Sequence, residues 1–271
     1  MSDIKNLKEL YLLCFEDDTP EDADFLFENV FSRAELLEEK APGKTISMLY
    51  LMDCFLKTEK GDLPYYYLYA ACTHPDFRGK GIMGRLLEKA KGFAKEKGKM
   101  GIILKPAKPS LFRFYDNYGF KPFFKFSSLF LEADENYTNV ELSHIPLSQW
   151  HEERKRLLGE LSDAFVSFDK ELFCAAASDC KVVTDQKGNF VVYELRDDLL
   201  LCKECISDLD SIDSVINIVK ALLAKTSLKR AEIRLPQGFS GKSQALKDDY
   251  FSVISEIPFD AKNAYHGFAF D

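Results

Sequence analysis

The sequence predicts an α/β fold of the α+β type: a mixed, mostly antiparallel sheet flanked by helices, followed by a second, smaller unit of similar build. Three observations carry this. Residues 69–87 join an aromatic-rich strand to a helix through a basic, glycine-rich turn. Ahead of that turn, alternating apolar residues mark strands separated by short turns. Behind it, the order strand, strand, helix, strand recurs between residues 190 and 235.

The elements follow in order. Leu7, Leu10, Tyr11 and Cys14 recur at helical spacing, and Thr19-Pro20 opens a second helix carrying Phe25, Phe27, Val30 and Phe31. Residues 34–39 and 45–55 read as a hairpin across Pro42-Gly43, and 65–73 as a third strand after Lys60-Gly61-Asp62. The motif helix comes next, then a strand at 101–105, a short helix started by Pro109 and a final strand pair within 120–131, with the first unit ending near Asn136. Beyond it come an extended segment at 140–145, a helix from Leu147 to about Ala164, strands at 190–195 and 199–206, a helix at 212–224 and a strand at 231–235.

Composition sets the bounds. A chain of 271 residues suffices for one large or two small domains. No run approaches about 18 apolar residues, and Met1-Ser2-Asp3-Ile4-Lys5 does not resemble a signal peptide, so a cytoplasmic protein is expected. Seven cysteines without framework spacing read as reduced thiols. Cys202-Lys203-Glu204-Cys205 sits in an expected strand, where residues three apart face opposite ways, so packing is preferred to metal or redox chemistry. A net charge of −8 argues against nucleic acid or an anionic membrane as partner. The basic helix face of Lys89, Lys91, Lys95, Lys97 and Lys99 reads as solvated surface, whereas Arg78, Lys80 and Arg85 adjoin the glycine turn.

That turn has the chemistry of an anion cradle: uncapped amides at a helix start, a favourable dipole, and glycines that let a phosphate approach the backbone. Gly79, Gly81 and Gly84 also spell a dinucleotide fingerprint, but Thr73 to Arg78 intervene after the strand and the next strand ends in Lys105 rather than a ribose-binding acid. P-loop spacing is not met either. What remains is a strand, a loop, and Arg78-x-x-Gly81 opening a helix.

This stretch resembles the acyl-CoA-binding motif of the GNAT (GCN5-related) N-acetyltransferases, Arg/Gln-x-x-Gly-x-Gly/Ala. Phe114-Tyr115-Asp116-Asn117-Tyr118-Gly119-Phe120 resembles the family's second block, Phe-Tyr-x-x-x-Gly-Phe, at the expected distance. Met83 departs from the pattern, standing where the family has Gly or Ala; its amide remains available if its side chain points away. The resemblance implies a GNAT fold whose usual opening strand is absent or supplied elsewhere, with residues 1–136 as the catalytic acetyltransferase domain. It implies acetyl-CoA as acyl donor, with no metal. The backbone of Ala71, Cys72 and Thr73 would then run beside the pantetheine arm, Arg78, Gly79, Lys80, Gly81, Ile82, Met83, Gly84 and Arg85 would form the pyrophosphate site, and Tyr115 would be the acid that protonates the leaving thiolate. Residues 137–271 resemble a degenerate GNAT-like domain, as in two-domain Eis-like relatives. Asp208, Asp210 and Asp213 stand there where the first copy has Arg78 and its glycines, so no cofactor site is expected.

The general base is left open among Asp53, Glu28, Asp271 and a relay through water and carbonyls. His74, beside Pro75, reads as a turn hydrogen-bonding residue; His144, His151 and His266 have no partner legible in the sequence. Phe25, Phe27, Phe31 and residues 65–67 are candidates for an acceptor pocket, with Asp22, Asp24 and Glu28 to attract a cationic amine. The expected activity is N-acetylation of a primary amine on a small molecule. A CoA-binding regulatory module, a protein or peptide acceptor, an acidic partner-docking half and a homodimer stay open.

Overall fold

The computed structural model describes residues 3–133, 140–207, 212–236, 247–259, 261 and 263–268, with backbone alone for 247–250. The first half runs α1 (Ile4–Cys14), α2 (Pro20–Asn29), β1 (Glu35–Ala41), β2 (Lys44–Thr58), β3 (Gly61–Thr73), α3 (Ile82–Glu96), β4 (Ile102–Leu104), α4 (Ser110–Asp116) and β5 (Lys121–Glu132). The second runs β6 (Ser143–Ile145), α5 (Leu147–Leu161), β7 (Ala164–Ser167), α6 (Lys170–Ala176), β8 (Lys181–Thr184), β9 (Phe190–Arg196), β10 (Leu199–Ile206), α7 (Ile212–Thr226), β11 (Arg230–Leu235), β12 (Lys247–Ile254) and β13 (Ala264–Tyr265). None of the described helices is long and apolar enough to cross a membrane.

Local chemistry explains the early boundaries. Asp3 accepts from the Lys5 amide to start α1, and Thr19 and Asp22 exchange side-chain and backbone hydrogen bonds in a capping box at α2, with Pro20 at its first position. α5 stops at Leu161, short of the expected Ala164, because Ser162 turns extended and both its amide and its hydroxyl bond the Leu158 carbonyl. Ala164 then begins β7.

The strands form one continuous sheet in the order β13-β7-β2-β3-β4-β12-β5-β11-β10-β9-β8-β6, with β1 also on β2. β2 and β3 pair antiparallel, and α3 crosses over to bring β4 parallel to β3. The second half repeats this: β9 and β10 are antiparallel, and α7 crosses over to bring β11 parallel to β10. Two strands cross between halves. β7 pairs with β2 at Phe55–Thr58, beyond the reach of β1, and β12 lies between β4 and β5. No opening strand precedes α1 among the described residues; strand cover at that edge comes instead from β7.

The expected strand pair within 120–131 is one strand, β5, whose neighbours are β11 and β12. Residues 120–131 hold no Gly, Asn or Asp for a tight hairpin turn, and Ser127 and Ser128, the polar pair along the stretch, stay extended between β11 and β12. Alternation along β2 sends Met48, Tyr50, Met52 and Cys54 toward α1 and α2, and Leu49 and Leu51 toward α3 and α4. Cys202 and Cys205 correct the opposite-face expectation. A bulge between Cys202 and Glu204 resets the alternation, and both buried thiols join the apolar cluster under α7.

Candidate functional site

The site is built where β3 ends. Along β3, Tyr65 and Tyr67 face the α1/α2 side and Tyr66 and Leu68 the α3 side. At Ala70 the order breaks: Met48 pairs with Cys72 but Tyr50 pairs with Tyr69, so Ala70 and Ala71 together oppose Leu49. Ala70 carries this bulge at φ +52°, a left-handed conformation that is uncommon for a residue with a side chain. The bulge re-aims the backbone of Ala71, Cys72 and Thr73. Ser47 then pins it, donating to the Cys72 carbonyl at 2.9 Å and meeting the Thr73 hydroxyl at 2.8 Å.

The loop that follows turns tightly into α3. The Asp76 amide donates to His74 Nδ1 at 3.3 Å, the turn-bonding role expected of that histidine, and Pro75–Phe77 form a single 3-10 turn. Gly79 (φ +74°) and Gly81 (φ +70°) take left-handed conformations, and Gly81 caps α3 with no side chain over the helix start. Among the described residues no backbone carbonyl accepts from the amides of Gly79, Lys80 or Gly81, and those of Ile82, Met83 and Gly84 fall in the first helical turn, where α-helical bonding supplies no acceptor. Six successive amides therefore surround this turn. The Met83 side chain packs into the apolar cluster beneath α3, away from it.

The basic side chains brace the loop. Arg78 Nε donates to the Thr73 carbonyl at 3.0 Å and its Nη2 lies 3.8 Å from Cys14 Sγ; Lys80 Nζ donates to the Asp76 carbonyl at 2.9 Å; Arg85 Nη1 donates to the Lys80 carbonyl at 3.2 Å. All are exposed and able to swing toward an anion. Gly84 has a packing reason too. A Cβ there would lie 2.1 Å from the Tyr118 hydroxyl. Gly84→Ala is therefore expected to destabilise the protein by about 1–3 kcal/mol through overpacking, and in a Tyr118→Ala background to stabilise it by up to about 1 kcal/mol, since alanine is the better helix former. Urea unfolding midpoints of the two pairs check the reversal.

Tyr115 lies on α4, buried in the same cluster as Leu68, Leu86 and Leu87, with its ring against Phe114 and Phe120. Ala71 packs against this cluster as well. Burial pushes the phenol up to about 12, so it stays a proton donor throughout the neutral range.

On the opposite face of the sheet a cavity of about 890 Å³ opens between α2 and the second half. Asp17, Asp18, Asp22 and Tyr69 line it from the first half, Asp179 and Asp197 from the second. Tyr11 donates to the Asp18 carboxylate, while Glu194 on the far wall is paired with Lys203 and Arg196. Tyr69, which lines the cavity from β3, immediately precedes the Ala70 bulge.

Several expected pocket residues are placed elsewhere. Phe25 and Asp22 do line the cavity, but Phe27 and Phe31 stack with Tyr11 and Tyr50 in the core, and Tyr65, Tyr66 and Tyr67 are buried in the sheet. Asp24 pairs with Lys8, Asp53 pairs with Lys99, and Glu28 is not among the lining residues. Asp271, Asp208, Asp210 and Asn136 lie outside the described residues; Asp213 is in the first turn of α7. His151 Nε2 meets the Phe168 carbonyl at 3.0 Å and His266 Nδ1 the Ser252 hydroxyl at 2.7 Å, both buried. The sequence reading did not single out Asp17, Asp18, Asp179 or Asp197, because their convergence depends on how the two halves dock.

Comparison with known proteins accords with this geometry. The family described as an acetyltransferase (GNAT) domain matches residues 1–123. No curated protein matches the chain. Among solved structures, a probable N-acyltransferase from Enterococcus faecalis is similar at 13% identity and a TM-score of 0.69, over 94% of this chain and 70% of that one. A GCN5-related N-acetyltransferase from Anabaena variabilis is similar at 12% identity and 0.68, over 92% and 69%. The Eis protein of Mycobacterium abscessus is similar at 12% identity and 0.62, over 94% and 72%. At such identities these structures speak to the fold. Residues 1–123 thus match the acetyltransferase (GNAT) domain, and the chain shares the fold of these solved structures over more than nine-tenths of its length.

Proposed function

We propose that the protein transfers the acetyl group of acetyl-CoA to a primary amine of a small cationic molecule, with residues 1–136 as catalytic unit and 137–271 closing the acceptor cavity. The observation that carries this reading is the acid-lined cavity of about 890 Å³ that reaches Tyr69 beside the Ala70 bulge. Its volume suits a small molecule, and carboxylates from both halves favour more than one positive charge.

The residues present fit acetyl-CoA. Uncapped amides from Gly79 to Gly84 would receive the pyrophosphate, with Arg78, Lys80 and Arg85 at the rim, and Ala71, Cys72 and Thr73 would offer backbone hydrogen bonds to the pantetheine arm. Bound there, acetyl-CoA supplies the acyl group as a thioester. The carboxylates of the cavity hold the amine by its charge, and the backbone at the bulge orients the two reactants. Tyr115 would give its proton to the thiolate as the carbon–sulfur bond breaks, and the proton lost by the amine nitrogen as it bonds to the acyl carbon would pass through water to solvent, from which the phenol recovers its own.

The test is release of free thiol from acetyl-CoA with a panel of amines of equal size and rising positive charge, alongside a peptide amine. Asp22→Asn and Asp179→Asn are each expected to raise KM for a diamine about tenfold, equivalent to about 1.4 kcal/mol, with KM for acetyl-CoA unchanged. Indifference to acceptor charge, or preference for the peptide, would overturn the small-cation reading. Binding of acetyl-CoA without thiol release from any amine would favour a regulatory module.

A further inference from the structure

The three carboxylates that the first half contributes to the cavity are not equivalent. Asp17 is exposed on the loop after α1. Asp22 is committed to the start of α2, where its Oδ2 accepts from the Thr19 amide at 2.8 Å and from the Thr19 hydroxyl at 2.7 Å. Asp18 is half-buried, and its Oδ2 accepts from the hydroxyl of Tyr11, a completely buried residue of α1.

Tyr11 is fixed in turn. Its ring stacks on Phe15 with centroids 4.6 Å apart and meets Phe31 edge-on at 5.9 Å, and Phe31 lies 5.9 Å from the ring of Tyr69. The aromatic cluster thus ties Asp18 to the part of the wall that Tyr69 forms, just before the Ala70 bulge. Burial, the Tyr69 phenol and the Asp18 carboxylate push the Tyr11 hydroxyl far above the ordinary phenol range, so it stays a donor to Asp18 at every working pH.

The second half offers charge from the other side. Asp179 follows α6, and Asp197 sits in the turn between β9 and β10 at φ +42°. Charges beside them are already matched: Glu194 by Lys203 at 2.8 Å and by Arg196, and Asp198 by Arg230.

We infer that the cavity has two ends that read different parts of the acceptor: Asp18, oriented by Tyr11, receives the ammonium that is to be acetylated, and Asp179 with Asp197 receives a second positive charge. The substrate class is then a diamine with its charges apart. This rests on the acetyl-CoA site proposed above, because the Ala70 bulge marks which end holds the acyl group. An ion pair alone would hold the amine in its protonated, unreactive form. The Tyr11 hydrogen bond takes up part of the Asp18 charge, so the carboxylate positions the nitrogen while binding its proton less tightly. Tyr11 touches no substrate in this arrangement and is a positioning residue.

The experiment measures thiol release from acetyl-CoA with hexylamine and with hexamethylenediamine, which differ by one charge, and titrates both amines into the protein by calorimetry. Asp18→Asn is expected to raise KM about tenfold for both amines, with kcat within about twofold. Asp197→Asn is expected to raise KM for the diamine about tenfold and to cut the preference for diamine over monoamine by the same factor; asparagine tolerates the positive φ of that turn. Tyr11→Phe keeps the ring packing and should raise KM about threefold for both amines, but change nothing when Asp18 is already Asn, a dependence that lost packing would not show. Asp18→Asn that spares the monoamine, or Asp197→Asn that weakens both amines alike, overturns the assignment of the ends. Additive effects of Tyr11→Phe and Asp18→Asn overturn the positioning role. Where neither amine releases thiol, the calorimetric affinities of the same variants still decide the ends, and acetyl transfer to such amines alone is refuted.

Discussion

Tyr115→Phe is expected to lower kcat about 100-fold while leaving acetyl-CoA affinity within about twofold, the loss typical of a missing general acid. The substitution removes one oxygen and keeps the ring that packs against Phe114 and Phe120, so α4 and its cluster should survive it. A phenol pushed up to about 12 is a weaker acid than a free one and looks poorly matched to a thiolate of ordinary basicity, about 8.5 to 10. The relevant quantity is the difference between the two within one dry site. Burial that destabilises a phenolate also destabilises the departing thiolate, so both values rise and the transfer stays near balance. The pH profile supplies an independent check. Because Tyr115 is protonated at every pH below about 12, it should add no falling alkaline limb in the working range. A wild-type kcat that falls near pH 9, or a Tyr115→Phe variant with full turnover, would remove Tyr115 from the chemistry.

Local pattern was enough to read β2, β3 and α3, because alternation, the Lys60-Gly61-Asp62 turn and the glycine loop each act over a few residues. The matching unit β9–β10–α7–β11 was legible for the same reason, with its turns at Gly188 and Asp197 and the apolar face of α7. A misreading arose where one residue changes the period: a bulge between Cys202 and Glu204 turns two thiols expected on opposite faces into neighbours in one core. The Ala70 bulge in β3 has no signal in the sequence either. Strand neighbours distant in sequence were not legible either: nothing local tells β12 to lie between β4 and β5, or β7 to cover the outer end of β2. The cavity inherits that difficulty. Asp18 and Asp179 come to line one cavity only when the halves dock, whereas the glycine turn from Arg78 to Arg85 is contiguous in the sequence.

Within the second half, Arg154 is the most consequential structural residue. Buried on α5, it donates from Nε to both Glu204 oxygens at 2.9 and 2.8 Å, from Nη1 to the Val166 carbonyl at 2.9 Å and from Nη2 to the His266 carbonyl at 3.1 Å. One guanidinium thus joins α5 to β10, to β7 and to the segment after β13. Arg154→Met is expected to cost about 3–5 kcal/mol, because it leaves a buried carboxylate and two buried carbonyls without their donor. The sign of its pH dependence follows from Glu204. Burial raises that carboxyl and Arg154 pulls it back down. Without the arginine the folded state keeps a proton that the unfolded chain releases above about 4.5, so the variant should lose stability as pH rises through that value and beyond. Adding Glu204→Leu removes the buried charge and should recover part of the loss with its pH dependence, but not the part due to the Val166 and His266 carbonyls. Denaturant midpoints across pH separate the two contributions. Full recovery in the double variant would mean that the ties to β7 and His266 carry no stability, and an unchanged midpoint in Arg154→Met would mean that α5, β7 and β10 are held together by their apolar packing alone.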